Sequence, residues 1–330
     1  MGEFMNKKIG SISIVLILGI LIFEILTKSS SIYETISFSF GIWKNNIFPS
    51  LFPFFVITEI AINYGIVELF SEIFKPFMQK MFKLNSSSSF IFVMSLISGF
   101  PSSAKYTREL HLKGLLNEHE ASKILTFSHF SNPLFILGTV SIMFLNNKEV
   151  GFLILLSHYL TNIIIGLGMR NYYPSALEST KVSFKRAFNN MHNKRINNKL
   201  RFGQIITNSL INSINTLLLI LGVVTMFLVI TTVIDNNLNL NSYFQTILNG
   251  FVEMTQGLKY ISLLDIPLKL KSVLSTMIIS FGGISVHVQI ISIISDTKIK
   301  YMPFLVARIL HATIASFLVF VTFDIWILFL

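Results

Sequence analysis

The 330-residue chain contains no cysteine. Disulfides, thiolate zinc sites, iron–sulfur ligation and a cysteine nucleophile are therefore all excluded. Charge is scarce as well: Asp, Glu, Lys and Arg make up 13% of residues, about half the share found in soluble domains. The sequence has no G-x-x-x-x-G-K-[ST] phosphate loop, no dinucleotide fingerprint, no G-x-S-x-G elbow and no H-E-x-x-H helix. His119-Glu120 lacks a second histidine, and the seven histidines are scattered without metal-ligand spacing. The chain is thus expected not to be an enzyme, and to need neither cofactor nor resident metal.

What fills the space is apolar. Hydrophobic residues make up 52% of the chain and 32 positions are Phe, with a mean hydropathy of +0.67. A soluble core of this size cannot hide so much apolar surface, so the sequence reads as an integral membrane protein. The net charge of +10 would suggest nucleic-acid binding in a soluble chain. In a membrane chain the same Lys and Arg residues set topology. The expected partner is the lipid bilayer, with no nucleic acid.

Stretches long enough to cross the hydrocarbon core need roughly 20 apolar residues. Residues 9–27, 47–66, 124–145, 150–169, 205–234 and 302–328 qualify, and shorter or broken apolar pieces lie at 86–110, 242–258 and 270–295. Met1-Gly2-Glu3-Phe4 precedes a second Met, and Glu-Phe is what an EcoRI site encodes, so 1–4 read as a cloning remnant. Residues 5–34 then form an N-terminal transmembrane helix, 35–169 a first repeat, 170–203 a basic loop and 204–330 a second repeat. Between Arg170 and Arg201 stand eight basic residues (Arg170, Lys181, Lys185, Arg186, Lys194, Arg195, Lys199, Arg201) against one acid, Glu178. This excess, with Lys7 and Lys8, places the loop and the N-terminus on the cytoplasmic side of a multi-pass cell-membrane protein.

An even number of crossings must separate those two points. The count closes if 67–84 is interfacial and 86–123 is a re-entrant hairpin whose tip is Gly99-Phe100-Pro101. The second half repeats the order upside down: 205–234 outward, 242–267 along the outer interface, a second hairpin at 270–295, and 302–328 returning. Met94-x4-Gly99-x2-Ser102 matches Met277-x4-Gly282-x2-Ser285. The expected fold is an all-α polytopic membrane protein, an inverted repeat with two re-entrant helical hairpins and broken transmembrane helices. Lys259, Lys269, Lys271, Lys298 and Lys300 would then face outside, against the positive-inside trend.

Broken helices free backbone groups at midplane depth, which is where secondary transporters hold substrate. At the first tip stand Ser98, Gly99, Ser102, Ser103 and Lys105. Helix-start amides plus a Lys suit a carboxylate or another anion; equally, Lys105 could snorkel to the cytoplasmic edge. At the second tip Gly282 and Gly283 permit close backbone approach, and Ser285, His287 and Gln289 follow at alternate positions, facing a cavity or, for His287, bonding a backbone carbonyl between helices. A third break, Ser128-His129-Phe130-Ser131-Asn132-Pro133, offers Ser131 and Asn132 as ligands, because Pro133 leaves a carbonyl near 129 without a donor. Gln204, Asn208, Asn212 and Asn215 share one helix face and suit interhelical bonding. Glu59 and Glu253 are candidates for a coupling proton or a gate, or lie at the interface; Arg308 and His311 would pair with such an acid.

Four stretches carry a family resemblance: Gly41-Ile42-Trp43 with Phe48-Pro49-Ser50-Leu51-Phe52-Pro53-Phe54-Phe55, Ser98 through Lys105, Ser131-Asn132-Pro133-Leu134-Phe135, and Gly282 through Gln289. In this order they resemble the sporulation integral membrane protein family of the YlbJ type, which carries the gate (nucleoside-recognition) domain. The resemblance runs from about residue 35 to 325. It implies a transporter-like fold and, in spore formers, movement of dipicolinic acid, a small aromatic dicarboxylate, across the outer forespore membrane. Three functions follow as expectations: a secondary transporter of a small organic anion, a nucleoside or neutral-solute transporter, or a non-transporting assembly factor in sporulation. The substrate partner would be the organic anion, and the number of subunits stays open, a homo-oligomer included.

Overall fold

In hydrocarbon every backbone N–H and C=O must find a partner within its own segment, which leaves helices as the spanning element for a sequence like this one. The computed structural model describes residues 2–175, 182–238 and 240–328, and among them there are helices and no strand. Glu178 and Lys181 of the basic segment, and Met1 of the 1–4 stretch, lie outside the described residues.

Helix α1 (Gly2–Thr27) stops at Lys28, and the chain turns through 99° into α2 (Ser29–Ile42). That helix continues through five π-helical residues, Trp43–Ile47, into α3 (Phe48–Asn63). Gly65, at φ +81°, then bends the chain by 84° into α4 (Ile66–Ile73), followed by the short α5 (Lys75–Phe77).

A helical hairpin follows. α6 (Ser88–Ser98) and α7 (Ser102–Leu112) fold back on one another, since the rings of Phe90 and Tyr106 lie 6.2 Å apart. A straight helix would hold those residues about 24 Å apart. α8 (Glu118–Phe127) opens on a capping box formed by Asn117 and Glu120. It gives way to non-helical Ser128–Asn132, after which the chain winds up again through the π-helical segment Phe135–Phe144. α9 (Lys148–Gly168) is long and uninterrupted.

The basic segment contains α10 (Phe184–Asn197), which packs on α4 with ion pairs Arg186–Glu72 at 3.2 Å and Lys194–Glu68 at 3.8 Å. α11 (Phe202–Asn237) is the longest span. Then the sequence of motifs returns. α12 (Ser242–Val252) and α13 (Met254–Leu263) form a tight hairpin: a Cβ on Gly257 would stand 2.2 Å from Gly250 Cα. α14 (Leu268–Phe281) and α15 (Gly283–Ile294) form a helix interrupted at Gly282, and α16 (Met302–Leu328) closes the chain.

Hairpin, broken helix and long helix thus occur twice in the same order. The second hairpin is not where the sequence placed it. Leu268–Ile294 is one apolar stretch long enough to span, not bent back on itself, and the hairpin is formed by 242–263 instead of lying along the interface. Local sequence marks Gly282 as a helix break, but whether a break reverses the chain depends on what packs across it. Gly250 and Gly257 bring the backbones of α12 and α13 into contact.

Among the described residues four helices (148–171, 202–237, 268–294 and 302–328) are long and apolar enough to cross a membrane, or up to six spans if each bent pair counts as one. The protein is therefore multi-pass. Many of the phenylalanines have a clear place: Phe82, Phe90, Phe92, Phe127 and Phe130 form a buried aromatic cluster around the first hairpin, with Phe82 and Phe127 centroids 4.5 Å apart. Others, such as Phe317 and Phe320 on α16, are exposed, as lipid contact requires.

Candidate functional site

The first tip is held by backbone contact. Gly99 sits at φ +76° with ψ −175°, a conformation open to glycine and little else. A Cβ there would meet Asn132 N at 2.4 Å, so the tip presses on the break of the α8 helix. Asn132 locks the contact, donating from Nδ2 to Ser98 O at 3.2 Å while its Oδ1 accepts from Leu134 N at 2.8 Å. The peptide Phe100-Pro101 is cis. The tip serines largely satisfy their own neighbourhood: Ser98 Oγ donates to Met94 O and lies 2.7 Å from Ser102 Oγ, which in turn bonds Gly99 O. Phe100 stacks on His129 at 4.7 Å, and Ser103 Oγ lies 3.5 Å from His129 Nδ1.

The second tip repeats the contact with the roles exchanged. Gly283, in the broken helix at φ +70°, brings its backbone against the tip, where a Cβ would stand 3.1 Å from Met254 N. Glu253 is the tip residue and is 1% exposed. It caps α13, accepting at Oε2 from Thr255 N (2.7 Å) and Gln256 N (3.0 Å), and at Oε1 from Thr255 Oγ1 (3.0 Å). Ser285 Oγ, on the broken helix, approaches Glu253 Oε1 at 3.5 Å. One carboxylate therefore joins the second tip to the second break.

Both tips and both breaks converge on one cavity of about 60 Å³, room for a few waters. Phe100 and Pro101 reach it from the first tip, Ser131 and Asn132 from the first break, Glu253 and Thr255 from the second tip, and Val286 and Gln289 from beyond the second break. α3 and α11 close it with Leu51, Ile220 and Val224. Ser131 Oγ is buried and has no hydrogen-bond partner among the described residues. α7, α13 and α15 all begin at these interruptions, so the positive ends of three helix dipoles gather around the cavity.

Among the residues singled out from sequence, Ser131, Asn132, Glu253 and Gln289 line this cavity directly. Ser98, Gly99, Ser102, Gly282, Gly283 and Ser285 shape its walls without lining it. His287 is turned away, with Nε2 3.1 Å from Phe281 O and Nδ1 2.7 Å from Tyr301 OH, so both ring nitrogens have structural partners. Lys105 is elsewhere: it pairs with Glu59 at 2.9 Å in a second, open cavity of about 550 Å³ shared with Arg108, Glu109, Asn212, Asn215 and Asp296. There Arg108 bonds Asp296, just beyond the end of α15, and holds its carboxyl below the usual range. Arg308 and His311 meet backbone carbonyls and an amide instead of an acid. Sequence reasoning missed Thr255 and the α3 and α11 walls, because nothing local distinguishes those residues from ordinary helix positions. Among the described residues no group of His, Asp or Glu is arranged to hold a metal ion.

Two hairpins and two broken helices around a mainly apolar cavity with a few polar groups, Ser131, Asn132, Glu253 and Gln289 among them, define a transporter-like polytopic membrane protein. A family model described as nucleoside recognition, the Gate model, matches residues 46–148, which span the first hairpin and the first broken helix. The sporulation integral membrane protein YlbJ of Bacillus subtilis (strain 168) is 31% identical over 316 residues, covering 88% of this chain and 78% of that protein. The chain belongs to the YlbJ family of sporulation integral membrane proteins. No solved structure matches it.

Proposed function

We propose that this protein is a secondary transporter that moves a small organic anion by alternating access around the cavity between the two tips. The observation that carries this reading is the convergence of both hairpin tips and both helix breaks on one cavity. The repeated order of elements supports two repeats of opposite membrane orientation that rock against each other. A carboxylate substrate is favoured by the three helix starts around the cavity. The mixed-charge cavity holding Lys105 and Arg108 would serve as the approach from one side. The family resemblance implies a dicarboxylate of the dipicolinate type and the outer forespore membrane where the cell sporulates, and the excess of Lys and Arg in 170–203, with Lys7 and Lys8, favours a cytoplasmic side for that segment and the N-terminus.

Glu253 sharpens the proposal. Its carboxyl lines the same cavity, so an anionic substrate enters only with that carboxyl protonated, which makes Glu253 the carrier of a coupling proton. The same observation favours a second reading. A neutral solute rich in hydroxyl donors, such as a nucleoside, would suit an ionised Glu253 without any proton. Proteoliposome uptake of labelled dipicolinate, with uridine as competitor, separates the two. Dipicolinate uptake that rises with an inward proton gradient, and falls at least tenfold in Glu253→Gln, supports the anion reading. Uridine uptake that dipicolinate does not compete with supports the second. Uptake of neither overturns both and leaves an assembly role.

A further inference from the structure

Arg308, on α16, is completely buried. Among the described residues no carboxylate pairs with it. Its guanidinium instead donates to three neutral oxygens at the end of α8: Thr126 O at 2.6 Å, His129 O at 3.3 Å and Asn162 Oδ1 at 2.9 Å. Two of these acceptors exist because the helix breaks. The donor that a continuing helix would bring to His129 O belongs to residue 133, which is Pro and has none. The donor for Thr126 O would be Phe130 N, which is turned onto Ser128 O. Asn162 completes the set from α9, its own Nδ2 donating to His129 O at 3.2 Å.

Freed carbonyls and an amide oxygen, at the negative end of a half-helix and away from water, are the ligands that broken-helix transporters offer a coupling cation. We propose that the Arg308 guanidinium is a tethered cation that fills the ion-binding end of the first broken helix, so that no free monovalent cation binds there. The residue reaches across from the second repeat to hold the break on which the first tip rests: His129, whose carbonyl it bonds, carries Phe100 on its ring. Arg308 is thus a positioning residue for the first tip. Two nearby histidines are engaged elsewhere. His158 Nε2 accepts from Ser131 N at 3.0 Å, which keeps that ring neutral, and His311 Nε2 bonds His158 O at 2.9 Å. Because the charge is covalent, the tip is set without any ion gradient, and whatever drives the protein is something other than sodium at this junction.

The inference rests on the helix break and not on the substrate, so its test uses stability. The full-length protein in detergent is melted in sodium, guanidinium or choline chloride at one low ionic strength, alongside Arg308→Met and Arg308→Lys. The wild type is expected to melt at the same temperature in all three salts. Arg308→Met is expected about 5 °C or more lower, with part of that loss recovered in guanidinium or sodium but not in choline, and Arg308→Lys between the two. A merely space-filling side chain would show no cation-specific recovery. Sodium-specific stabilisation of the wild type, an Arg308→Met protein as stable as Arg308→Lys, or recovery equal in choline would each overturn the proposal. If Arg308→Met does not fold, a folded Arg308→Lys supports the proposal, and loss of both variants overturns it, since charge at this place would then not suffice.

Discussion

Replacing Gly99 by Ala isolates the contact on which the first tip depends. Two costs add. A side chain at φ +76°, ψ −175° is strained by about 1–3 kcal/mol. The new Cβ would also stand 2.4 Å from Asn132 N and 2.7 Å from its Cα. Those are backbone atoms that cannot rotate away, so overpacking adds about 1–3 kcal/mol. A total near 2–6 kcal/mol corresponds to melting about 3–9 °C lower for a chain of this size. Intrinsic fluorescence from Trp43 and Trp326 reports the transition in detergent. Two controls separate the terms. Gly114, at φ +72° with nothing within 4 Å, should lose only the backbone part on substitution, about 1–2 kcal/mol. Gly222 in α11, also open, should gain about 0.5–1 kcal/mol as Ala. Should Gly99→Ala melt with the wild type, or no lower than Gly114→Ala, the tip does not press on Asn132 and the site's geometry is wrong.

Two further substitutions test other parts of the fold. Gly257→Ala drives a methyl group into the Gly250 backbone and should cost about 3 kcal/mol, whereas a segment lying on the interface would accept it; a protein with wild-type melting would restore the interfacial placement of 242–267. The Lys105–Glu59 pair, with side chains 12% and 6% exposed, should lose about 1–3 kcal/mol when Lys105 alone becomes Met. Lys105→Met with Glu59→Gln should recover most of that loss, and purely additive losses would show that the two charges do not interact.

Much of the architecture is legible in particular residues. Gly99, Pro101, Pro133 and Gly282 mark three helix interruptions, because a missing N–H or a positive φ is a local property of the chain. Glu253 announces no break of that kind, and the tip it forms was invisible to periodicity. Its neighbours Gln245, Asn249, Thr255 and Lys259 give 242–263 the look of an amphipathic surface helix. Two of those polar groups find their partners only after folding: Asn249 with Asp235 at 3.0 Å, and Thr255 with Glu253. A polar residue in a membrane sequence reads the same whether it faces water or a hydrogen-bonding partner, and only packing tells the two apart.

The sequence by itself determined that this protein lives in lipid, that it is helical and broken at Gly and Pro, and which family it resembles, since hydropathy, missing donors and ordered motifs are one-dimensional properties. Tertiary structure decided which interruption reverses the chain, that Lys105 answers Glu59 outside the central cavity, that Glu253 stands inside it, and that Arg308 fills the end of α8. Each of those outcomes is set by which distant backbone comes within a few ångströms. In a membrane, where apolar faces are nearly interchangeable, that choice falls to glycine contacts and to polar groups that must find one another.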